Sequence, residues 1–219
     1  MLTLPVLPRI YGVIIIFYGI FKIVRNNNEN SEALSFASYL VGAEVLLRMT
    51  RSLFLYETGK YGVFLFLLIG AAVGVNRIKP NAAYAFYLLL LLLGIVFTQV
   101  PEGESLRKSV AFNLSGPFLL GACALYFYRR VINYQVLISA LKYMLLPIVS
   151  MCIYLFFKTP TLSEVTFRGV ANYEASGGFG PNQVSTILGL GVFLVGALIM
   201  TKNYISGNFY IDAILLVYL

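Results

Sequence analysis

The chain reads as a succession of apolar runs separated by short polar breaks. A helix crossing a bilayer needs roughly 20 apolar residues to cover about 30 Å of hydrocarbon. By that measure seven full candidate spans and one partial span stand out: Leu4–Val24, Ala33–Leu47, Tyr61–Val75, Ala83–Gln99, Val110–Tyr128, Val136–Phe157, Val184–Thr201 and the partial Phe209–Leu219. The second and third are short. Runs such as Leu88–Leu93 are continuous and do not alternate, so the pattern is helical rather than that of a β-barrel. The predicted fold is an all-α polytopic transmembrane helical bundle. It is read as one transmembrane domain over residues 1–219, with an external loop at 158–183.

Composition narrows the picture further. Hydrophobic residues make up 59% of the 219 positions and charged residues only 11%, too little polarity to cover a soluble surface and too much apolar content for disorder. Cys123 and Cys152 both lie inside apolar runs, which excludes a disulfide scaffold. The net charge of +7 comes from basic residues placed singly or in pairs between apolar segments, as membrane anchors and topology signals are. No basic run or basic helix face is present, so a nucleic-acid role is excluded. Histidine is absent and Asp212 is the only aspartate, which removes imidazole metal sites, Ser-His-Asp triads and paired-aspartate metal clamps. No metal or cofactor is expected.

Segment one has no basic region ahead of it and no small-residue cleavage site behind it, so it reads as a retained helix. The eleven residues of Phe209–Leu219 make about 16 Å of helix, half a bilayer, which reads as a fragment of a longer protein. The loops at 76–82, 129–135 and 202–208 carry Arg77 and Lys79, Arg129 and Arg130, and Lys202, with no acid. The positive-inside rule places them in the cytoplasm and the loops at 48–60, 100–109 and 158–183 outside.

Three polar clusters fall on the external side. Glu44, Arg48 and Arg51, at spacings of four and three, share one helical face near a membrane boundary. Two readings stand: an interfacial ion pair with snorkelling arginines, or an anion site in which Glu44 positions Arg48 for a phosphate. The second cluster is Glu102, Glu104, Arg107 and Lys108, followed by Asn113-Leu-Ser-Gly-Pro117. Pro117 frees a backbone carbonyl in mid-helix, and Asn113 and Ser115 are placed to partner the disturbed backbone. The third is the polar stretch Lys158–Asn182, with Arg168, Asn172 and Glu174, ending in Gly177-Gly-Phe-Gly180-Pro181-Asn182-Gln183. Asn182 is placed to cap the next helix or to present its amide to a ligand, and a helix N-terminus facing an arginine forms a pyrophosphate cradle. A capping turn is the plainer reading. Gly70-Ala-Ala-Val-Gly74, and Gly189, Gly191 and Gly196, read as small faces for close helix packing.

The order of these features resembles the O-antigen ligase and polymerase family. The matching residues are Thr166-Phe-Arg168-Gly, Gly178-Phe-Gly-Pro-Asn182-Gln-Val-Ser-Thr186, Ala43-Glu-Val-Leu-Leu-Arg48 and Ser109–Pro117. The resemblance implies an N-terminal part of a multi-pass glycosyltransferase of the bacterial inner membrane, with a GT-C-like bundle. Its members pass glycan from an undecaprenyl-pyrophosphate carrier to lipid A-core or to a growing polysaccharide. By that resemblance Arg168 and Asn182 lie in the carrier or glycan site and Arg48 and Arg51 are supporting phosphate contacts. Catalytic candidates are Arg168, Glu44 and Glu174; binding candidates are Arg48, Arg51, Arg107, Lys108, Asn113, Gly180, Pro181 and Asn182. Partners implied are the carrier, its acceptor and membrane lipids. The family's longer chains carry a histidine and a large later loop that this chain lacks. A transporter or flippase subunit, motivated by Pro- and Gly-interrupted helices, and a non-catalytic membrane scaffold are the alternatives.

Overall fold

The computed structural model describes residues 6–52, 57–74, 79, 81–100, 102–103, 105–159, 173 and 176–219. Among the described residues the protein is all-helical: α1 (Val6–Arg25), α2 (Glu32–Met49), α3 (Thr58–Val73), α4 (Ala82–Val96), α5 (Leu106–Phe127), α6 (Tyr134–Lys158), α7 (Pro181–Met200) and α8 (Phe209–Tyr218). Helix starts follow their sequence signals. Asn81, Ser105, Asn133 and Asn208 each accept a backbone N–H of the helix they open, which satisfies donors that have no partner within the helix.

Seven full spans are not what forms. Among the described residues four helices are long and apolar enough to cross a membrane: Leu7–Arg25, Leu106–Phe127, Tyr134–Lys158 and Pro181–Met200. That is the mark of a membrane protein. The shortfall has two causes. With 16 and 15 residues, α3 and α4 reach only about 24 and 22 Å, short of the hydrocarbon thickness. α2 has the length, with 18 residues, but carries Glu32, Glu44 and Arg48.

α2 is the axis of the bundle, packing on α1, α3, α6 and α7. It divides two apolar clusters. Its Val45 and Met49 join α6 and α7 around Leu145, Ile148 and Leu194, and its Ala37, Leu40 and Leu47 join α1 and α3 around Ile23 and Phe66. Contact with α6 is closest at Gly42, where a Cβ would lie 2.0 Å from the Met144 carbonyl oxygen and 3.1 Å from the Pro147 ring. Only glycine permits that approach. Gly70 and Gly191 are close-packed in the same sense, against Ala33 and Ile148, whereas a Cβ at Gly189 or Gly196 would meet nothing within 4 Å among the described residues. The packing role expected of those last two is corrected accordingly.

Contacts between helices fix which loops share an end. At the lower end Asn28, in the α1–α2 turn, donates to the Gly70 carbonyl and to the Tyr126 hydroxyl, each at 3.0 Å. Lys79 reaches the Arg129 carbonyl and Asn203 the Tyr134 hydroxyl. The acid-free basic loops therefore gather at one end. At the upper end Gly177 packs against Met49 and Leu155, and Gly59 against Glu44.

Candidate functional site

The last two turns of α2 carry Glu44 and Arg48 one helical turn apart, and the two form an ion pair. The side chains are 10% exposed at Arg48 and 23% at Glu44, so the pair is largely withdrawn from water yet still reached by it. Arg48 Nη1 also donates to Gln183 Oε1 at 3.3 Å. This bond ties the end of α2 to the first turn of α7.

Local chemistry explains why α7 begins where it does. Gly177 and Gly178 adopt φ of 66° and 75°, left-handed values that glycine takes without strain. Gly177 is also wedged in place, since a Cβ there would lie 3.1 Å from Leu155 Cδ2 and 3.4 Å from Met49 Cε. The Gly178 N–H donates to the Tyr173 carbonyl at 2.7 Å, and the Ser176 hydroxyl closes the turn on the carbonyls of Tyr173 and Phe179. Pro181 then enters as the first helical residue, where its missing N–H costs nothing.

Gly180, not Asn182, stands at the cap position, and it makes no side-chain cap bond. The capping role expected of Asn182 is thus corrected. Asn182 lies within the first turn with its side chain exposed, and its carbonyl accepts from Ser185 and Thr186. Arg51 is likewise not on the face shared by Glu44 and Arg48. α2 ends at Met49, and Arg51 follows in a left-handed turn with φ of 54°, exposed.

On the far side of Glu44, α3 starts with Gly59 so close that a Cβ would lie 2.9 Å from Glu44 Cγ. The next residue, Lys60, donates through Nζ to Ser115 Oγ of α5 at 3.0 Å. Two polar links thus stand at the upper end: Lys60 with Ser115 between α3 and α5, and the Glu44–Arg48 pair with Gln183 between α2 and α7. Ser115 serves Lys60 rather than the backbone disturbed by Pro117, while the Tyr87 hydroxyl donates to the Pro117 carbonyl at 3.2 Å. Beneath Lys60 an apolar cavity of 310 Å³ opens between α3, α4 and α5.

The structure brings Glu44, Arg48, Gly180 and Pro181 to one place. Arg107, Lys108 and Asn113 are exposed on α5, which packs on α3 and α4 and not on α2 or α7. Arg168 and Glu174 lie outside the described residues. Sequence reasoning gave no role to Gln183 or Lys60, and it gave Ser115 to the backbone disturbed by Pro117 rather than to Lys60. For Gln183 its place in the turn-to-helix junction was the available signal; for the Lys60–Ser115 contact there was none.

Chemically, the α2–α7 link offers a guanidinium whose orientation is fixed by a carboxylate and an amide, at the start of a helix whose dipole favours anions. Among the described residues no three His, Cys, Asp or Glu side chains gather as metal ligands. Comparison with known proteins yields no family model, no curated protein and no solved structure that matches the chain.

Proposed function

We propose that the chain is part of a multi-pass glycosyltransferase that takes glycan from an undecaprenyl-pyrophosphate carrier at the outer face of a bacterial inner membrane. The observation that carries this reading is the link from Arg48, paired with Glu44, to Gln183 at the opening turn of α7. Such a site suits a pyrophosphate. The acid-free loops with Lys79, Arg129, Arg130 and Lys202 at the lower end favour the cytoplasm for that end, which puts the Arg48 end outside.

In the reaction an acceptor hydroxyl of lipid A-core or a growing polysaccharide attacks the anomeric carbon. The bond from that carbon to the pyrophosphate oxygen breaks, and negative charge gathers on the leaving group. Arg48 stabilises that charge by position and by fixed hydrogen bonds, an arrangement already in place before the substrate arrives. Arg168, on the polar stretch before α7, is the second guanidinium in the proposal. Glu44 is engaged by Arg48 and acts as its positioning partner; Glu174 is left as the base that takes the hydroxyl proton.

The test uses membranes of a strain producing the whole protein. Arg48→Ala should lower glycan transfer from the carrier by roughly 10²–10³-fold, the loss typical of one donor to a developing anion. Carrier-linked glycan should accumulate. Because Arg48→Ala strands Glu44 in a largely buried position, the pair Glu44→Gln with Arg48→Gln removes both charges and keeps the shape. Normal protein in the membrane with lost transfer supports the reading. Wild-type transfer by either variant overturns it.

A further inference from the structure

A cleft at the lower end, far from Arg48, takes no part in the proposed reaction. α1 and α6 both pack on α2 and not on each other, and the groove between them has a volume of 740 Å³, within the size range of sites for small ligands. Its wall changes in steps along α1. Asn26, Lys22, Tyr18 and Ile14 follow one another at intervals of four residues, about 6 Å each, on one helical face. The other two helices repeat the order from the same end: Glu32 and then Phe36 and Tyr39 on α2, Gln135 and then Tyr143 and Leu146 on α6.

The wall carries two charges of opposite sign. Lys22 and Glu32 are the charged residues of the lining, while Arg25 and Glu29 are exposed outside it. Among the described residues no ion pair joins Lys22 to Glu32. The Lys22 ammonium rests over the Tyr18 ring, 5.7 Å from its centroid. Glu32 accepts from the Asn26 side-chain amide at 2.9 Å and from Asn30 twice, the backbone N–H at 3.2 Å and the side-chain amide at 3.3 Å. These donors are neutral and leave the carboxylate its charge, and of its roughly four acceptor positions one stays open. The bond to Asn26 sets Glu32 about one helical turn below Lys22. From bundle to mouth the order is therefore aliphatic wall, cation, carboxylate.

A zwitterionic phospholipid presents the complementary order: acyl chain, phosphate, ammonium. An anionic lipid would leave Glu32 without a cation to meet. The kind of ammonium is selected as well. A primary ammonium gives an N–H to the open position on Glu32, whereas a trimethylammonium has none to give and is recognised by aromatic rings. The rings of this cleft lie one turn or more from Glu32 toward the bundle. We propose that the cleft binds a single glycerophospholipid of the ethanolamine class, its phosphate on Lys22, its ammonium on Glu32 and one acyl chain along Ile14, Ile15 and Leu146. The proposal is independent of the glycan chemistry at the other end.

The full chain, purified in mild detergent, is mixed with equal amounts of phosphatidylethanolamine, phosphatidylcholine and phosphatidylglycerol of the same acyl chains and examined by native mass spectrometry. Phosphatidylethanolamine should be retained about fivefold over each of the others, the upper range for one partly exposed ion pair. Glu32→Gln, which keeps the shape and an acceptor for Asn30, should bring its ratio to phosphatidylglycerol to one or below. Lys22→Gln should lower retention of all three lipids. Ser139→Trp, which fills the cleft from an exposed position, should abolish it. Arg9→Gln, exposed on α1 and outside the cleft, should keep the wild-type ratios. Unchanged helical circular dichroism confirms that each variant is folded, and the wild-type comparison needs no variant. Equal retention of the three lipids by wild type, a preference for phosphatidylglycerol, or wild-type ratios in Glu32→Gln would overturn the proposal. So would displacement of the lipid by equimolar free phosphoethanolamine, which would make the acyl chain irrelevant.

Discussion

α2 and α4 invert the rule that governs soluble proteins. α2 carries three charged residues and many small ones, yet nine of its 18 residues are buried. α4 is almost wholly apolar, yet none of its 15 residues is buried, and Phe86, Leu89, Leu90, Leu92 and Leu93 all face outward. In water this arrangement would be inside out. In lipid no apolar surface is driven inward, so helices associate through close packing of small residues and through polar groups that find partners. The contrast therefore locates both the architecture and the chemistry of the molecule: they run along α2.

The most damaging way to break the contrast is to add a side chain where α2 meets α6. Gly42→Leu should lower stability by at least about 3 kcal/mol, because its Cβ would collide with the backbone carbonyl of Met144 and neither helix can yield without losing its own packing. Thermal unfolding in detergent, followed by circular dichroism, reads the loss. Gly42→Ala should fall between the two. A wild-type melting profile for Gly42→Leu would mean that the α2–α6 contact is not what holds the bundle.

The second perturbation lies at the foot of α2. Asn28 is buried, donates to Gly70 and Tyr126, and accepts from the Ala33 backbone N–H at 2.9 Å. Asn28→Gly keeps the left-handed backbone at φ of 51° and removes only these bonds. It should cost about 2 kcal/mol, since buried groups lose their partners. The same melting experiment checks it, and a double variant with Tyr126→Phe should cost less than the sum of the two single changes because they share a bond.

The places of all eight helices were legible in the sequence because Asn, Gly, Pro and charged residues punctuate the apolar runs. How many of those helices are long enough to span was less legible, since a few residues at each end decide it. The ion pair of Glu44 with Arg48 could be read from a spacing of four within one helix. Gln183 could not be assigned to it, because 135 residues separate it from Arg48 and only the folded bundle closes that distance. Arg51 was misread for the opposite reason: periodicity carries on past the point where the backbone turns out of the helix. Gly42 gave no sign of its importance, because a lone glycine acquires meaning only from the carbonyl opposite it. Asn28 is the same case, with its partner Tyr126 98 residues away.

The mildest perturbation is the sharpest test of the other half of the contrast. Leu90 sits midway along α4 and is 49% exposed. Truncation there removes side-chain atoms that touch little protein, and lipid or detergent chains fill the space as readily as they met the leucine. Leu90→Ala should therefore change stability by less than about 0.5 kcal/mol, within the range of ordinary surface substitutions. A loss of about 2–5 kcal/mol, the size expected when leucine is removed from a packed interior, would mean that a further helix covers α4 in the membrane. In that event α4 would join α2 as a packing surface, and the 310 Å³ cavity between α3, α4 and α5 would lie inside a larger bundle rather than open to lipid.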